Sequence, residues 1–467
     1  MSVQEASVSP PGGRRREHRG WCWYDWANSV FETSVTTVFL SLYLTTVATR
    51  AASADVARNG PAPCAGGNAL QSCDVSLLGL QFPAGSLWGY LLSAATAVQV
   101  VVLPITGAVA DRTQNKRAML AVFAFVGAAS TGLLALVDGT DWQLGVALFV
   151  LANICFGASV VVYYSFLPEI AEPDERDNLS SRGWAFGYLG GGAALAMHLG
   201  LYLGHESLGL TSDEAVRLVF LSSGLWWAVF TLFPVFALRH RHEPEGRERG
   251  ASVFTAGFRQ LAGTVRQARY FPLTLAFLGS YMIYTDGIST VAQVAAQYGK
   301  LELHLPQDVL IVTLMIVQFI AYVGGRLHGW GARRFGTKRT ILISLVVWVV
   351  VLVAAYFVES GQRLQFYALA AGIGMVLGGT NALSRSLFSQ MVPATREAEY
   401  FALYEVGERS TSWLGPLVFA GIGQATGSFR LAIVSLIAFF AVGLVLVSMV
   451  PVRRAIEAVG NPVPQRL

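Results

Sequence analysis

Charged residues divide this chain into long apolar stretches of similar length. A helix crosses the hydrocarbon core of a bilayer with roughly 17–25 apolar residues, and such a span must be helical because lipid offers its backbone no hydrogen-bond partners. Eleven stretches contain no Asp, Glu, Lys or Arg and have at least 17 residues each: 33–49, 75–110, 118–137, 142–168, 183–204, 218–238, 309–325, 340–358, 364–384, 410–429 and 431–452. A twelfth stretch, at 270–299, is interrupted only by Asp286. Together they predict an all-α membrane protein with twelve transmembrane helices.

The composition excludes several classes of protein. Of the 467 residues, 54% are hydrophobic and 13% are charged, whereas about 25% of the residues of soluble domains are charged. An ordinary cytosolic enzyme and a disordered chain are therefore both excluded. The sequence shows no Walker loop, no zinc-ligand spacing and no nucleophile elbow. We therefore expect that the protein is not an enzyme and that it has no cofactor and no metal site.

Basic residues lie mainly on one side of the predicted bundle. With a cytoplasmic N-terminus, the inner loops and tails hold 24 Lys and Arg residues and the outer loops hold 5. This asymmetry fits the positive-inside rule and predicts a multi-pass protein of the cell membrane with both termini in the cytoplasm. The net charge of +4 belongs to these loops, so we expect no nucleic-acid partner. The run from Arg14 to Arg16 is interpreted as a topology determinant or a contact with anionic lipid.

The predicted helices form two halves of six. The loop after the second helix begins at Gly107 and the loop after the eighth begins at Gly329, 222 residues later. Gly, Ala, Arg, Lys and Arg recur at matching positions of the two loops. Parallel halves of this kind are typical of transporters. We therefore predict five segments: a cytoplasmic tail at 1–22, a first half at 23–238, a cytoplasmic linker at 239–270, a second half at 271–452 and a cytoplasmic tail at 453–467.

The first of these loops reads Gly107-Ala-Val-Ala-Asp111-Arg112-Thr-Gln-Asn-Lys116-Arg117. It resembles the signature between helices two and three of the major facilitator superfamily. The resemblance implies a cytoplasmic gate, in which acidic and basic residues hold neighbouring helix ends together and rearrange during transport. Arg333 stands where the first copy has Asp111, so we expect the gate to be asymmetric. The implied gate residues are Asp111, Arg112, Lys116, Arg117, Arg334, Lys338 and Arg339.

Longer stretches resemble one branch of that superfamily, the autophagy-related vacuolar effluxer-like family, which includes many bacterial members. The resemblance implies the two-half major facilitator fold and transport of a small solute. Eukaryotic members are associated with export of amino acids, notably leucine, from the vacuole. The matching stretches are Trp23-Tyr-Asp25-Trp-Ala-Asn28-Ser29-Val-Phe31, Ser181-Arg-Gly-Trp-Ala-Phe-Gly-Tyr-Leu-Gly-Gly-Gly192, Gly378-Gly-Thr-Asn-Ala-Leu-Ser-Arg385-Ser386, Tyr400-Phe-Ala-Leu-Tyr404-Glu405 and Ser412-Trp-Leu-Gly-Pro416.

Two predicted helices each carry a single polar stripe. Glu32 and Asp286 lie at similar depth, and we predict that they form a central pair in a translocation cavity. Charges inside a bilayer usually face a water-filled interior, where a carboxylate can carry a proton or balance an amino group. The alternative for each is a structural carboxylate held by neighbouring hydroxyls or an Arg, and Asp25 is interpreted as a helix N-cap. Asn28 of helix one is a further candidate for the cavity. The stripes contain Asp25, Ser29, Glu32, Thr36 and Tyr43 in helix one and Asp286, Ser289, Thr290, Gln293 and Gln297 in helix seven.

Further candidates lie in helices four, ten and eleven. Arg385 is expected to bind a substrate carboxylate or to pair with Glu405 in a state-dependent way, and a fixed salt bridge is the alternative. Tyr163 can line the cavity or simply pack against its neighbours.

Cys64 and Cys73 share the long outer loop, which faces the oxidising side of the membrane, so a disulfide between them is permitted.

These features predict a secondary transporter that works by alternating access. We expect a monomer in the lipid bilayer that moves a small polar solute, such as an amino acid, coupled to protons. One alternative is an exporter of hydrophobic or cationic drugs. The other is a membrane sensor or scaffold that transports nothing.

Overall fold

A computed structural model describes residues 11–60, 73–77, 79–113, 115–239, 270–394 and 396–467. Within these residues the chain forms twelve helical crossings, labelled α1 to α12, as the hydrophobic pattern predicts. The first half comprises α1 (Pro11–Val30, Phe31–Leu40 and Ser41–Ala54 in succession), α2 (Leu87–Thr113), α3 (Lys116–Leu133), α4 (Trp142–Ser165), α5 (Pro173–Leu203) and α6 (Ser212–Ala237). The second comprises α7 (Pro272–Leu301), α8 (Gln307–Phe335), α9 (Thr337–Tyr356), α10 (Arg363–Gln390), α11 (Glu397–Thr411 and Leu414–Thr426) and α12 (Phe429–Ser435 and Ile437–Met449).

Most crossings are apolar enough to lie in lipid, and the exceptions are informative. Within the described ranges, nine helices are long and apolar enough to cross a membrane. Crossings α5, α7 and α11 are outside that group. Helix α5 is rich in glycine and begins with acidic residues, α7 contains Asp286, and α11 is divided into segments of 15 and 13 residues. Polar and small residues avoid lipid and favour helix–helix contacts. The three helices therefore belong to the interior of the bundle.

Short elements connect the crossings. Between α1 and α2, a helix at Val56–Asn59 precedes an antiparallel hairpin of β1 (Asp74–Leu77) and β2 (Leu80–Pro83), in which Val75 is paired with Phe82. Residues 240–269, which include most of the predicted linker, lie outside the described residues, as does Cys64. The predicted Cys64–Cys73 bridge stays a prediction, while Cys22 and Cys155 are free thiols.

Both described ends of the chain lie at one end of the bundle, which we call the terminal face. The opposite end is the distal face. Residues 11–22, predicted as part of a tail, already belong to α1, and Arg14 pairs with Glu172 and Glu175 before α5. The C-terminal tail forms a helix at Val452–Ala458 and then contacts both halves, because the Gln465 N–H donates to Asp174 and Arg466 donates to the Arg333 carbonyl.

Glycines allow the closest helix contacts in this bundle. A Cβ added at Gly324 in α8 would stand 2.2 Å from the Met375 carbonyl oxygen of α10 and within 3 Å of two further Met375 backbone atoms. Backbone atoms cannot move aside as the end of a flexible side chain can. Gly324 is thus required by the distance between α8 and α10.

We expect Gly324→Ala to destabilise the protein by about 1–3 kcal/mol, the usual cost of overpacking. The measurement is the thermal unfolding midpoint of purified protein in detergent. Gly279→Ala in α7 is the matched control, because a Cβ there meets nothing within 4 Å. Equal midpoints for the two variants would contradict the packing argument.

Candidate functional site

A cavity of about 340 Å³ lies between the two halves. Its walls come from α1 and α5 of the first half and from α7 to α12 of the second, mainly from their distal portions. Most lining side chains are apolar, and Glu32 and Glu408 are the acidic ones. Ligand pockets of about 300–1,000 Å³ are mostly apolar with a few placed polar groups, and this cavity fits that description.

Glu32 reaches the cavity through an irregular stretch of α1. Residues Phe31–Leu40 form a π-helix, and the Thr37 hydroxyl donates to the Glu32 carbonyl at 2.7 Å, five residues away. A π-helix moves the residues that share a face from i+4 to i+5. Thr37 therefore lines the cavity with Glu32, whereas the predicted Thr36 lies off the cavity wall with its hydroxyl buried.

Glu408 is the acidic cavity residue that the polar stripes did not select. It accepts a hydrogen bond from the Tyr281 hydroxyl at 2.6 Å. One residue later, Arg409 donates to Glu405 at 2.9 Å, along one turn of α11. Glu405 is therefore paired within its own helix, and the predicted Arg385–Glu405 pair is absent. The run Glu405-x-x-Glu408-Arg409 was a sequence signal that could have identified Glu408.

Asp286 does not lie on the cavity wall with Glu32, which corrects the predicted central pair. It is buried, and its carboxylate accepts the Gly415 N–H at 2.9 Å. Helix α11 is interrupted between Thr411 and Leu414, so the second segment begins with N–H groups that have no partner within the helix. Asp286 of α7 accepts a hydrogen bond from one of these N–H groups. The residue is therefore a structural carboxylate, the role that the sequence leaves open as the alternative to a place in the cavity.

Three further members of the predicted α7 stripe, Thr290, Gln293 and Gln297, are also off the cavity wall. Thr290 is buried against Gly415, where an added Cβ would overlap its hydroxyl. Gln293 is exposed and is not among the lining residues. Ser289, a member of the same predicted stripe, does line the cavity.

Arg385 crosses from the second half into an aromatic cage of the first. Its Nε donates to the Ser180 hydroxyl and its Nη2 to the Ser180 carbonyl, both at 2.9 Å. Asp25 is the carboxylate partner, 3.5 Å from Nη2, and it also accepts the Tyr163 hydroxyl at 2.7 Å. Asp25 lies inside α1, so the predicted N-cap is wrong. The guanidinium carbon lies 4.7–5.7 Å from the ring centres of Trp21, Tyr163, Tyr164 and Trp184.

The first copy of the loop repeat joins the halves at the terminal face. Asp111 accepts the N–H groups of Ala398 and Glu399 in the first turn of α11, at 3.1 and 2.9 Å. Lys116 lies 3.0 Å from Asp111 and 2.6 Å from Glu169, and Glu397 is 3.6 Å away. A carboxylate at a helix N-terminus also interacts favourably with the helix dipole.

The second copy makes different contacts. Lys338 donates to the Ser448 and Val450 carbonyls of its own half, at 2.7 and 2.8 Å. Arg333, which replaces the acidic residue of the first copy, donates to Asn178 at 2.7 Å near the start of α5. Each loop thus contacts the start of an equivalent helix in the other half, with opposite charge.

Contacts between the halves are concentrated at the terminal face. Arg176 donates to the Ser389 carbonyl at 2.8 Å, and Gln390 donates to the Pro173 carbonyl at 2.8 Å. Among the described residues, the ion pairs near the distal face stay within a half, as in Arg217–Asp138 and Arg430–Glu302. The conformation is therefore closed at the terminal face, and the cavity lies beyond this closure.

The remaining predicted residues lie outside the cavity wall. Asn28 is buried in α1, and the Ser29 hydroxyl donates to the Trp26 carbonyl.

The described residues include no group of three His, Cys, Asp or Glu side chains that could hold a metal ion. The gate arginines with exposed or half-buried side chains are Arg112, Arg117, Arg334 and Arg339.

Comparisons with known proteins agree with this architecture. The family model described as "Vacuole effluxer Atg22 like" matches residues 13–460. The Bacillus subtilis (strain 168) protein named "Uncharacterized MFS-type transporter YxiO" is 29% identical over 439 residues, covering 93% of this chain and 95% of that protein. Autophagy-related protein 22-1 of Penicillium rubens is 26% identical over 560 residues, covering 97% and 94%.

Solved structures of major facilitator transporters share the fold. The proton:xylose symporter XylE bound to 6-bromo-6-deoxy-D-glucose gives a TM-score of 0.66 at 13% identity, covering 94% of this chain and 95% of that one. FucP in the outward conformation gives 0.63 at 11% identity, covering 93% and 99%. The predicted arrangement of two six-helix halves is confirmed.

We expect Lys116→Met to open or destabilise the terminal face. The variant removes the cation that lies between Asp111, Glu169 and Glu397, and removing one partner of a buried pair costs about 3–5 kcal/mol. The measurements are the thermal unfolding midpoint and the rate at which a maleimide labels Ser181→Cys, which is buried at this face. Lys338→Met is the matched control and should change labelling far less. Equal effects of the two variants would contradict the assignment.

Proposed function

This chain belongs to the Atg22-like vacuole effluxer family and has the fold of a secondary transporter, and we propose that it moves a small solute with an amino group and an apolar body. An amino acid with an apolar side chain is such a solute. Transport proceeds by alternating access and is coupled to protons. The single observation that carries the proposal is that Glu32 and Glu408 both line one mostly apolar cavity between the halves.

The cavity offers complementary groups for a zwitterion. Glu32 is exposed to the cavity and can balance a substrate ammonium group. Trp184 lines the cavity, and its buried indole N–H has no hydrogen-bond partner among the described residues, so it can donate to a substrate carboxylate. Ile288, Leu314 and Ile373 supply apolar contacts for the rest of the solute.

Proton coupling is assigned to the acidic cluster of α11. Glu408 faces the cavity and is linked to Tyr281, while its neighbour Arg409 is paired with Glu405. Two carboxylates beside a single guanidinium leave one negative charge that a proton can neutralise. The cluster also lies on the helix whose first turn binds Asp111, so a change of charge here acts on the helix that closes the terminal face.

The proposal includes the membrane, the orientation and the oligomeric state of the protein. We place the protein in the cell membrane as a monomer with the terminal face in the cytoplasm. The excess of Lys and Arg on that face supports this orientation. Closure at the terminal face then closes the described conformation on its cytoplasmic side.

Glu32→Gln should weaken binding of an amino solute and Glu408→Gln should uncouple transport. Loss of a charged hydrogen bond costs about 1.5–3 kcal/mol, so we expect KM to rise about 10- to 100-fold in the Glu32→Gln variant.

In the Glu408→Gln variant, accumulation driven by a pH gradient should be lost while solute exchange continues. Proteoliposome flux of a leucine-like amino acid measures both. Glu206→Gln, which alters an exposed distal-face carboxylate, is the control, and unchanged flux in both cavity variants would overturn the proposal.

Trp184→Phe distinguishes amino-acid transport from export of lipophilic cations. A hydrogen bond to a charged group contributes about 1.5–3 kcal/mol, so we expect KM for the amino acid to rise about 10- to 100-fold. A lipophilic cation has no carboxylate and should be unaffected. Flux of the cation alone, unchanged by the substitution, would favour the drug exporter. No flux of either solute would favour the sensor or scaffold.

A further inference from the structure

A groove at the terminal face combines three arginines with an apolar surface. It has a volume of about 680 Å³ and lies between the start of α1 and the end of α6. We call it the arginine groove. It is lined by Arg15, Arg16, Arg19, Gly20 and Trp23 of α1 and by Val229, Leu232, Phe233, Phe236 and Ala237 of α6.

The arginines of the groove differ from the neighbouring Arg14, which pairs with Glu172 and Glu175. Arg15 and Arg19 are exposed and have no carboxylate partner among the described residues. They are four residues apart and share a helix face with Trp23. Arg16 reaches across the groove to the Phe236 carbonyl at 3.4 Å. The groove therefore presents cationic groups whose charge is not balanced by a carboxylate of the described residues.

The opposite wall is apolar and rigid. Trp23 stacks on Phe233 with ring centres 5.0 Å apart, and Gly20 lets α1 approach Ala237 closely. Phe236 is 64% exposed and Val229 is 51% exposed, and both lie on a crossing helix where the surrounding medium is lipid. Tryptophan is enriched where a helix meets the membrane interface. The groove thus spans the boundary between head groups and acyl chains.

We propose that the arginine groove binds an anionic phospholipid. The phosphodiester lies against Arg15 and Arg19, because guanidinium groups bind phosphate oxygens through pairs of N–H donors. An acyl chain lies along the exposed side chains of α6. A soluble anion would satisfy the arginines alone and a neutral lipid the apolar wall alone, whereas an anionic phospholipid satisfies both. Basic pockets between helices on the cytoplasmic side are known to bind such head groups.

Native mass spectrometry of the purified full-length protein tests the proposal, with phosphatidylglycerol and phosphatidylcholine as probes. Each basic residue near the surface contributes about 1 kcal/mol toward anionic lipid, so Arg15→Ala with Arg19→Ala should weaken phosphatidylglycerol binding roughly 30-fold. Phosphatidylcholine binding should not change. Arg15→Lys with Arg19→Lys keeps the charge and should retain most of the affinity.

Arg453→Ala with Arg454→Ala is the matched control, because it removes two exposed arginines from the same face but outside the groove. It should bind phosphatidylglycerol as the wild type does. Thermal unfolding without added lipid checks that the variants remain folded. The proposal is overturned if the groove variant binds phosphatidylglycerol normally or if the control loses as much affinity. It is also overturned if glycerol 3-phosphate displaces the lipid, since the site would then take a soluble anion.

Discussion

One buried guanidinium constrains how the two halves meet. The Arg385 side chain is 0% exposed, and it enters from the second half into a cage that the first half builds. Burying a charge is expensive unless it is paired and hydrogen-bonded, and Asp25 and Ser180 supply those partners only when the halves are in contact. Separating them at this level would remove the Asp25 and Ser180 partners of Arg385 and would leave Asp25 with the Tyr163 hydrogen bond alone. The closed terminal face follows from that requirement.

The cage and the cavity share one side chain. Trp184 lies 5.6 Å from the Arg385 guanidinium carbon and also lines the cavity. A solute that binds at Trp184 therefore touches a wall of the cage that holds the halves together. No long chain of intermediates is needed to connect binding with closure, because one indole ring belongs to both. This contact links the proposed substrate site to the closed face through a single side chain.

The hydrophobic pattern and the loop repeat were enough to predict the fold, since lipid imposes helix length and duplication imposes the two halves. The site was harder to predict because its helices are irregular. The π-helical stretch of α1 replaces Thr36 with Thr37 beside Glu32, and the break in α11 makes Asp286 a capping group. The partnership of Asp25 with Arg385 joins residues 360 positions apart, which no local periodicity reveals.

The contacts of the two loop copies explain why α11 takes part both in the cavity wall and in the closure of the terminal face. In the first copy a carboxylate accepts N–H groups from the first turn of α11, whereas in the second a cation and a hydroxyl donate to side chains of α5. Of these contacts between the halves, only the first binds the backbone of a helix directly. Helix α11 also carries Glu408, Glu405 and Arg409 two to three turns further along. A rigid helix transmits displacement along its axis, so a charge change near Glu408 and the release of Asp111 can be two effects of one movement of α11.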